Sequence, residues 1–284
     1  MNTIKITLES FFKQQCKYLR NYAQGQHGSL FYAQLEGGIR LFVKHYTHEE
    51  HCKAEINGLK TLAQYINIPP LLHHNSALII LQFIESPNKN LENWKLAAHQ
   101  LASLHAVSHT SFGLDHHNFI GKSPQINHPE NQWSSFYITH RLLPQMQWAQ
   151  KHNLLKPTMH NKLKTLINNL HTWAWPSDLK PSLCHGDLWR GNILFGAEGC
   201  PYFIDPAIYF ADPETDLAMA KLFGGFPAVF FDTYYQMYPQ KEGYEQREKL
   251  YQLYHLLNHV NIFGSAYLNQ CEALLNSLLI SSSP

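Results

Sequence analysis

HGDLWRGN, residues 185–192, followed by FIDPA at 203–207, is the stretch on which the fold turns. Asp187 and Asn192 share one loop, and Asp205 lies thirteen residues beyond Asn192. Between them stand two short apolar runs, Ile193-Leu194-Phe195 and Tyr202-Phe203-Ile204, separated by Gly196 to Pro201. That pattern predicts a small hairpin that brings Asp205 back to Asn192, so that three oxygen-bearing side chains converge. Taken singly, Asp187 reads as a turn residue, Asn192 as an Asx-turn and Asp205 as a helix cap before Pro206. Taken in order, they are the donor set of magnesium-dependent phosphoryl transfer. One carboxylate positions the accepting hydroxyl, while an amide oxygen and a second carboxylate hold the metal.

This order matches the protein-kinase plan of H-x-D-x-x-x-x-N followed by a metal-binding Asp, with D-P-A in place of D-F-G. Pro206 fixes φ and has no N–H, so no flip of this segment and no activation-loop switch is expected. The plan also requires a lysine on an earlier strand and a glutamate on the helix after it. Lys44, in LFVKHY, and Glu55, in KAEINGL, stand in those places. A strand lysine is usually a solvated edge residue and a helix glutamate a surface charge; their order and spacing ahead of HGDLWRGN are what single these two out.

Working back to the N-terminus, residues 3–20 carry Ile4, Leu8, Phe11, Phe12 and Leu19 at roughly helical spacing. A glycine turn at Gly25 to Gly28 then feeds two alternating runs, Leu30 to Leu35 and Ile39 to Tyr46, joined at Glu36-Gly37-Gly38 as a hairpin. Residues 48–66 return to helical spacing until Pro69-Pro70, and a strand pair follows around Leu71-Leu72 and Leu78 to Ile84. Ser86 to Asn90 is a polar connector, beyond which helical patterns dominate: Trp94 to His105, two within 133–175 and several within 216–280. The expected fold is therefore α+β and bilobal, with a small nucleotide-binding lobe at 1–85 and a larger, mostly helical catalytic and substrate-binding lobe at 86–284.

Composition excludes other classes. Apolar residues make up 44% of the 284 positions, which rules out extensive disorder, and 22 basic against 21 acidic residues leave no electrostatic footprint for nucleic acid. Lys5, Glu9 and Lys13 interrupt the N-terminus, so no signal-peptide core can be drawn. The most apolar stretch, Ala77 to Ile84, is eight residues long, too short for a membrane span. The five cysteines form no C-x-x-C pair, as befits a reducing compartment, and a cytoplasmic protein is expected. Nineteen histidines raise the question of metal binding. However, His48 and His51 are three apart where a zincin pair needs four, and His73-His74 and His116-His117 are adjacent residues pointing apart. Hydrogen-bonded or solvated histidines are the expectation.

Over nearly its whole length the sequence resembles the fructosamine kinase (ketosamine 3-kinase) family. The likeness runs through FVK at 42–44, AEINGL at 54–59, LASLH at 101–105, FGLDHHNFIGKSPQIN at 112–127 and Trp133 with Phe136 to Pro144. It continues through HGDLWRGN, IDPAIYFADPETDLAMAKLFGGFP at 204–227 and YQLYHLLNHVNIFG at 251–264; the 112–127 and 204–227 segments are not shared with protein kinases generally. The resemblance implies a protein-kinase-like fold, ATP with Mg2+, and phosphorylation of the 3-hydroxyl of a sugar attached to an amine, a step toward deglycation. By position it implies Asp187 as catalytic base, Asn192 and Asp205 as metal ligands, Lys44 on the nucleotide phosphates, Glu55 as its ion-pair partner, and Phe83, Ile84 and Glu85 as the adenine-contacting hinge.

Around that set, Trp189 is expected beside the sugar, and Glu214 or Asp212 near the substrate's amine. Gln125 and Asn127 are possible substrate contacts in a loop where turn-forming roles are commoner. His185 and Asp216 are expected to brace, and Cys52 is the cysteine whose reactivity is in question. The chain departs from the family's usual phosphate loop: it reads GQHGS at 25–29, where Gly25 and Gly28 still admit phosphate oxygens to the backbone and Ser29 offers a hydroxyl, but His27 at the tip is unexpected. Two other readings compete: a kinase of another amino-sugar or amino-alcohol, as in the aminoglycoside and choline kinases, and a pseudokinase binding module, which would require loss of Lys44, Asp187, Asn192 or Asp205. All four are present.

Overall fold

The structure, a computed structural model, describes residues 1–25, 27–85, 90–173 and 175–281. Its N-terminal part is one antiparallel sheet of five strands in the order β1-β2-β3-β5-β4, formed by β1 (Cys16–Gln24), β2 (Gly28–Leu35), β3 (Arg40–Tyr46), β4 (Leu71–His74) and β5 (Leu78–Gln82). Helix α1 (Asn2–Phe12) lies on one face and α2 (Glu49–Leu62) on the other. The period-2 alternation of the strands explains how: Phe31, Ala33, Leu35, Leu41, Val43 and Ile80 meet Ile4 and Leu8 of α1, while Tyr46, Ile79 and Leu81 meet Cys52, Ile56 and Leu59 of α2. Cys52 is therefore a packing residue; burial, then Glu55, push its thiol up to about 12, which makes it a poor nucleophile.

The helix expected over 3–20 is cut short. Lys13 turns into the left-handed region at φ 54°, and Cys16–Gln24 is the edge strand β1, with Leu19 in it. Apart from Cys16, β1 buries almost nothing, so no alternation of apolar residues marks it.

After the sheet the chain is mainly helical. The connector expected at 86–90 lies, except for Asn90, outside the described residues. Asn90 caps α3 (Leu91–His105): its side chain accepts from the Asn93 N–H at 3.1 Å and its own N–H donates to Asn93 Oδ1 at 2.8 Å. Three short two-stranded antiparallel sheets interrupt the helices. One is β6 (Asn118–Ile120) with β7 (Ser123–Gln125); the second is β8 (Ser182–Cys184) with the later β11 (Tyr209–Ala211); between those two strands sits the predicted pair β9 (Ile193–Phe195) and β10 (Pro201–Phe203). Helices α4 (Trp133–Tyr137), α5 (Leu143–Lys151) and α6 (Pro157–Asn169) precede β8, and α7 (Glu214–Leu222), α8 (Ala228–Met237), α9 (Tyr244–Phe263) and α10 (Leu268–Ser281) follow β11. Their apolar faces form two cores, one around α9 and α10, the other joining α3, α8 and the β9–β10 hairpin. Among the described residues no helix is long and apolar enough to cross a membrane.

Candidate active site

The loop 185–192 leaves β8 and is fixed from below by Asp216, in the first turn of α7. Asp216 accepts from the backbone N–H of His185 at 2.7 Å and of Gly186 at 2.8 Å, and from His105 Nε2 at 3.1 Å. Burial alone would raise this carboxyl; the hydrogen bond and charge of His105, then His185, outweigh it and hold Asp216 below the usual range, ionised. His185 is fully buried, donates from Nε2 to the Ile204 carbonyl at 2.9 Å, and burial keeps it neutral. Gly186 has φ +83°, and a Cβ there would lie 2.0 Å from the Ala207 carbonyl oxygen, so only glycine fits. These constraints turn the Asp187 side chain toward the cleft between sheet and helices.

Asn192 closes the loop. Its Nδ2 donates to the Asp187 carbonyl at 2.8 Å and to Asp187 Oδ2 at 3.3 Å, while its Oδ1 accepts no hydrogen bond among the described residues. The hairpin behind it returns Asp205 as the sequence predicts: the Ile204 N–H bonds the Asn192 carbonyl at 3.0 Å, and Asp205 follows with φ +55°, a left-handed conformation that Asp tolerates better than most residues. Burial, then the charge of Asp205, raise the Asp187 carboxyl to about 7.

Across the cleft, Lys44 on β3 bonds Glu55 of α2 at 2.5 Å and also reaches Asp205; the Tyr46 hydroxyl donates to the other oxygen of Glu55. Burial by itself would lower the Lys44 ammonium, but the carboxylates of Asp205 and Glu55 hold it above its usual range and charged. Pro206 packs against α2: a Cβ placed on Gly58 would meet its ring at 2.9 Å. The D-P-A segment and the helix carrying Glu55 thus fit one another.

These groups line a cleft of about 320 Å³ with Gly25, Gly28, Trp189 and the edge of the β6–β7 hairpin. Beside it, sharing Lys44, Glu55 and Asp205, lies a narrower apolar pocket of about 260 Å³ walled by Phe42, Leu81, Phe83, Ile84 and Leu194. Of the expected hinge, Phe83 and Ile84 line this pocket, and the Phe83 N–H is already given to the Arg40 carbonyl at 3.0 Å; Glu85 is exposed and paired with Arg40. Trp189 is 42% exposed at the cleft with its ring over Gly191, so it is not a core aromatic.

Other expectations fare differently. Ser29 does not line the cleft; its hydroxyl donates to Gln24 Oε1 at 3.1 Å. Glu214 and Asp212 line a separate depression behind the helices, and both are committed there. Arg247 grips Glu214 with two bonds of 2.7 Å, and Asp212 accepts from Tyr251 at 2.6 Å and from the Glu214 N–H at 2.9 Å. They are scaffold and not substrate carboxylates. Gln125 and Asn127 are likewise buried and spent on the protein, Gln125 on Asn118 and the Ala207 carbonyl, Asn127 on Asn118 and Arg141. Sequence reading passed over Asn118 and Phe119, which do line the cleft, and His105 under the loop; the only prior signal was their place inside the LASLH and 112–127 segments. Among the described residues, the one group of His, Cys and acidic side chains compact enough for a metal is His105, Cys184 and Asp216, and it is the loop brace itself.

Over most of its length the chain is similar to proteins of one family. The fructosamine kinase family profile matches residues 4–281. A Synechocystis protein named a probable ketoamine kinase is 37% identical over 260 residues, covering 87% of this chain and 86% of its own. A chloroplastic protein-ribulosamine 3-kinase of Arabidopsis thaliana is 36% identical, covering 71% and 61%. The crystal structure of a Thermobifida fusca protein provisionally named a fructosamine-3-kinase superposes with a TM-score of 0.89 at 28% identity over 99% of both chains. The chain belongs to the fructosamine kinase family.

Proposed function

We propose that this enzyme phosphorylates the 3-hydroxyl of ketosamines, the fructosamine and ribulosamine adducts of amines, using ATP and Mg2+. The observation that carries the reading is the convergence of Lys44, Glu55, Asp187, Asn192 and Asp205 on one cleft, in a chain of this family.

The residues divide the work. The apolar pocket between Phe42, Leu81 and Leu194 suits a purine, with Phe83 and Ile84 of the hinge along its edge. Lys44, kept charged and held by Glu55, meets phosphate oxygens and offsets the charge that develops on them. Asn192 and Asp205 would hold the magnesium: their donors are both oxygens, and the Asn192 amide spends its nitrogen on Asp187 and leaves Oδ1 open. When bound, the ion neutralises phosphate charge during transfer. Asp187 orients the sugar hydroxyl and accepts its proton, and Trp189 offers an exposed ring face for the sugar to pack against. Gly28 is held to glycine by β3, since a Cβ there would fall 1.7 Å from the His45 carbonyl oxygen, and Gly25, whose N–H is given to the Gly28 carbonyl at 2.8 Å, borders the cleft with it where the phosphates would lie. The second loop residue, Gln26, lies outside the described residues. A lobe boundary at 85/86 and a cytoplasmic setting belong to the same reading, the five cysteines all being free. A phosphate on the 3-hydroxyl makes the adduct labile, so removal of sugars from amines is the implied role.

The test is ATP consumption with Mg2+ and a fructosamine or ribulosamine acceptor, wild type against Asp187→Ala. Turnover by the wild type that the variant lacks supports the reading. ATP binding with neither acceptor phosphorylated would move the substrate to another amino-sugar or amino-alcohol. No ATP binding at all would leave a pseudokinase.

A further inference from the structure

His27, the residue by which the phosphate loop departs from its family, does not project idly from the tip. Its carbonyl accepts from the Thr47 N–H at 2.9 Å and the Thr47 hydroxyl at 3.1 Å, which pins the tip to the end of β3. Its ring reaches the opposite way, across the cleft, and Nε2 donates to the carbonyl of Gly121 at 2.7 Å, in the turn of the β6–β7 hairpin. The ring also stacks on His51 of α2 at 3.8 Å and 24°, and His51 in turn lies against Phe119 of the hairpin at 3.8 Å. His51 Nδ1 is buried and has no partner among the described residues, so this ring contributes as a flat surface. Three elements far apart in sequence, the glycine loop, α2 and the hairpin, are thus joined by one imidazole.

We infer that His27 is a positioning residue of the transfer reaction, a latch that holds the glycine loop against the far wall of the cleft and so presents the loop's backbone to the nucleotide phosphates. Three features argue for a latch over a plain surface contact. The ring is anchored at both ends, by backbone on one side and a hydrogen bond on the other. It lines the cleft itself, together with Gly25, Gly28 and Asp187. A glycine-bordered loop has little stiffness of its own, so its position is set by whatever holds its tip. The inference rests on the glycine loop being the phosphate-binding element of the proposed kinase.

The experiment is steady-state kinetics on the full chain with ATP, Mg2+ and a ketosamine acceptor. It compares wild type, His27→Ala, His27→Gln and His51→Phe, with binding of a fluorescent ATP analogue measured alongside and circular dichroism confirming that each variant is folded. Loss of one hydrogen bond and one stacking contact predicts a three- to tenfold rise in the KM for ATP in His27→Ala, kcat and the acceptor KM staying within about threefold. His27→Gln, whose side-chain amide can still donate to Gly121, should recover most of the loss, and His51→Phe, which keeps a flat ring against the imidazole, should raise the KM for ATP less than His27→Ala does. Wild-type turnover with an unchanged KM for ATP in His27→Ala, or no rescue by glutamine, would overturn the latch and leave the kinase reading standing. A wild type that binds no ATP analogue would overturn both.

Discussion

Replacing Asp216 by Asn should damage catalysis more than its distance from the substrate suggests. Three donors meet this carboxylate: His185 N–H and His105 on Oδ2, and Gly186 N–H on Oδ1. Asparagine offers one acceptor oxygen and one NH2, so in either orientation at least one backbone N–H faces another donor. Hydrogen bonds to charged groups contribute about 1.5–3 kcal/mol each, so the least disruptive orientation costs about 2–3 kcal/mol of stability. Asp187 and its loop lie one residue beyond the displaced N–H, and a shift of about 1 Å in a reacting group can cost about a hundredfold in rate. The expected result is kcat down by about two orders of magnitude with the KM for ATP nearly unchanged, since Lys44 and the apolar pocket are untouched. Steady-state kinetics and urea unfolding measured on the same preparation decide it. If Asp216→Asn loses stability but keeps kcat within threefold of wild type, the brace supports the fold without positioning Asp187, and the reasoning fails.

Two further outcomes are expected. Lys44→Met should lower kcat/KM for ATP by at least a hundredfold, because it removes the cation between Glu55 and Asp205; it should also destabilise the sheet lobe by about 3 kcal/mol, since Glu55 is left buried with only Tyr46 as partner, which thermal unfolding can read. His255, buried on α9, has its pKa lowered from 6.5 to about 3, chiefly by burial and then by His259 and Arg141, against the pull of Asp216. The folded state therefore refuses a proton that the unfolded chain takes up below about 6.5, and stability is lost as pH falls. From pH 7 to 5 this one group accounts for about 2 kcal/mol, and His255→Phe should unfold with a pH dependence shallower by that amount. Parallel pH profiles for wild type and variant would refute it.

The chemistry of the 185–205 segment was legible because its donors are nearly contiguous: a loop that presents an Asp and an Asn, followed by a hairpin that returns a second Asp, needs no information from elsewhere. Lys44 and Glu55 were legible through their order, since a strand followed by a helix brings residues about eleven apart to one edge of a sheet. The edge strand β1 was not, because a strand that buries almost none of its residues has no alternation to read. Nor were the latch of His27 on Gly121, 94 residues away, or the brace of Asp216 by His105, 111 residues away, for no local pattern announces a partner at that range.

Glu214 and Asp212 show the converse error. Both stand a few residues beyond Asp205, the proposed metal ligand, and were expected near the substrate's amine. Yet a carboxylate is available to a ligand only if the fold leaves it without a cation, and Arg247, 33 residues further on in α9, is buried beside Glu214 and takes both of its oxygens. A buried guanidinium must itself be paired, so the fold assigns these carboxylates to Arg247 and Tyr251 before any substrate arrives. Among the described residues the acidic groups that line the cleft are Asp187, Asp205 and Glu55, so position along the chain is a poor guide to which carboxylates a ligand can reach.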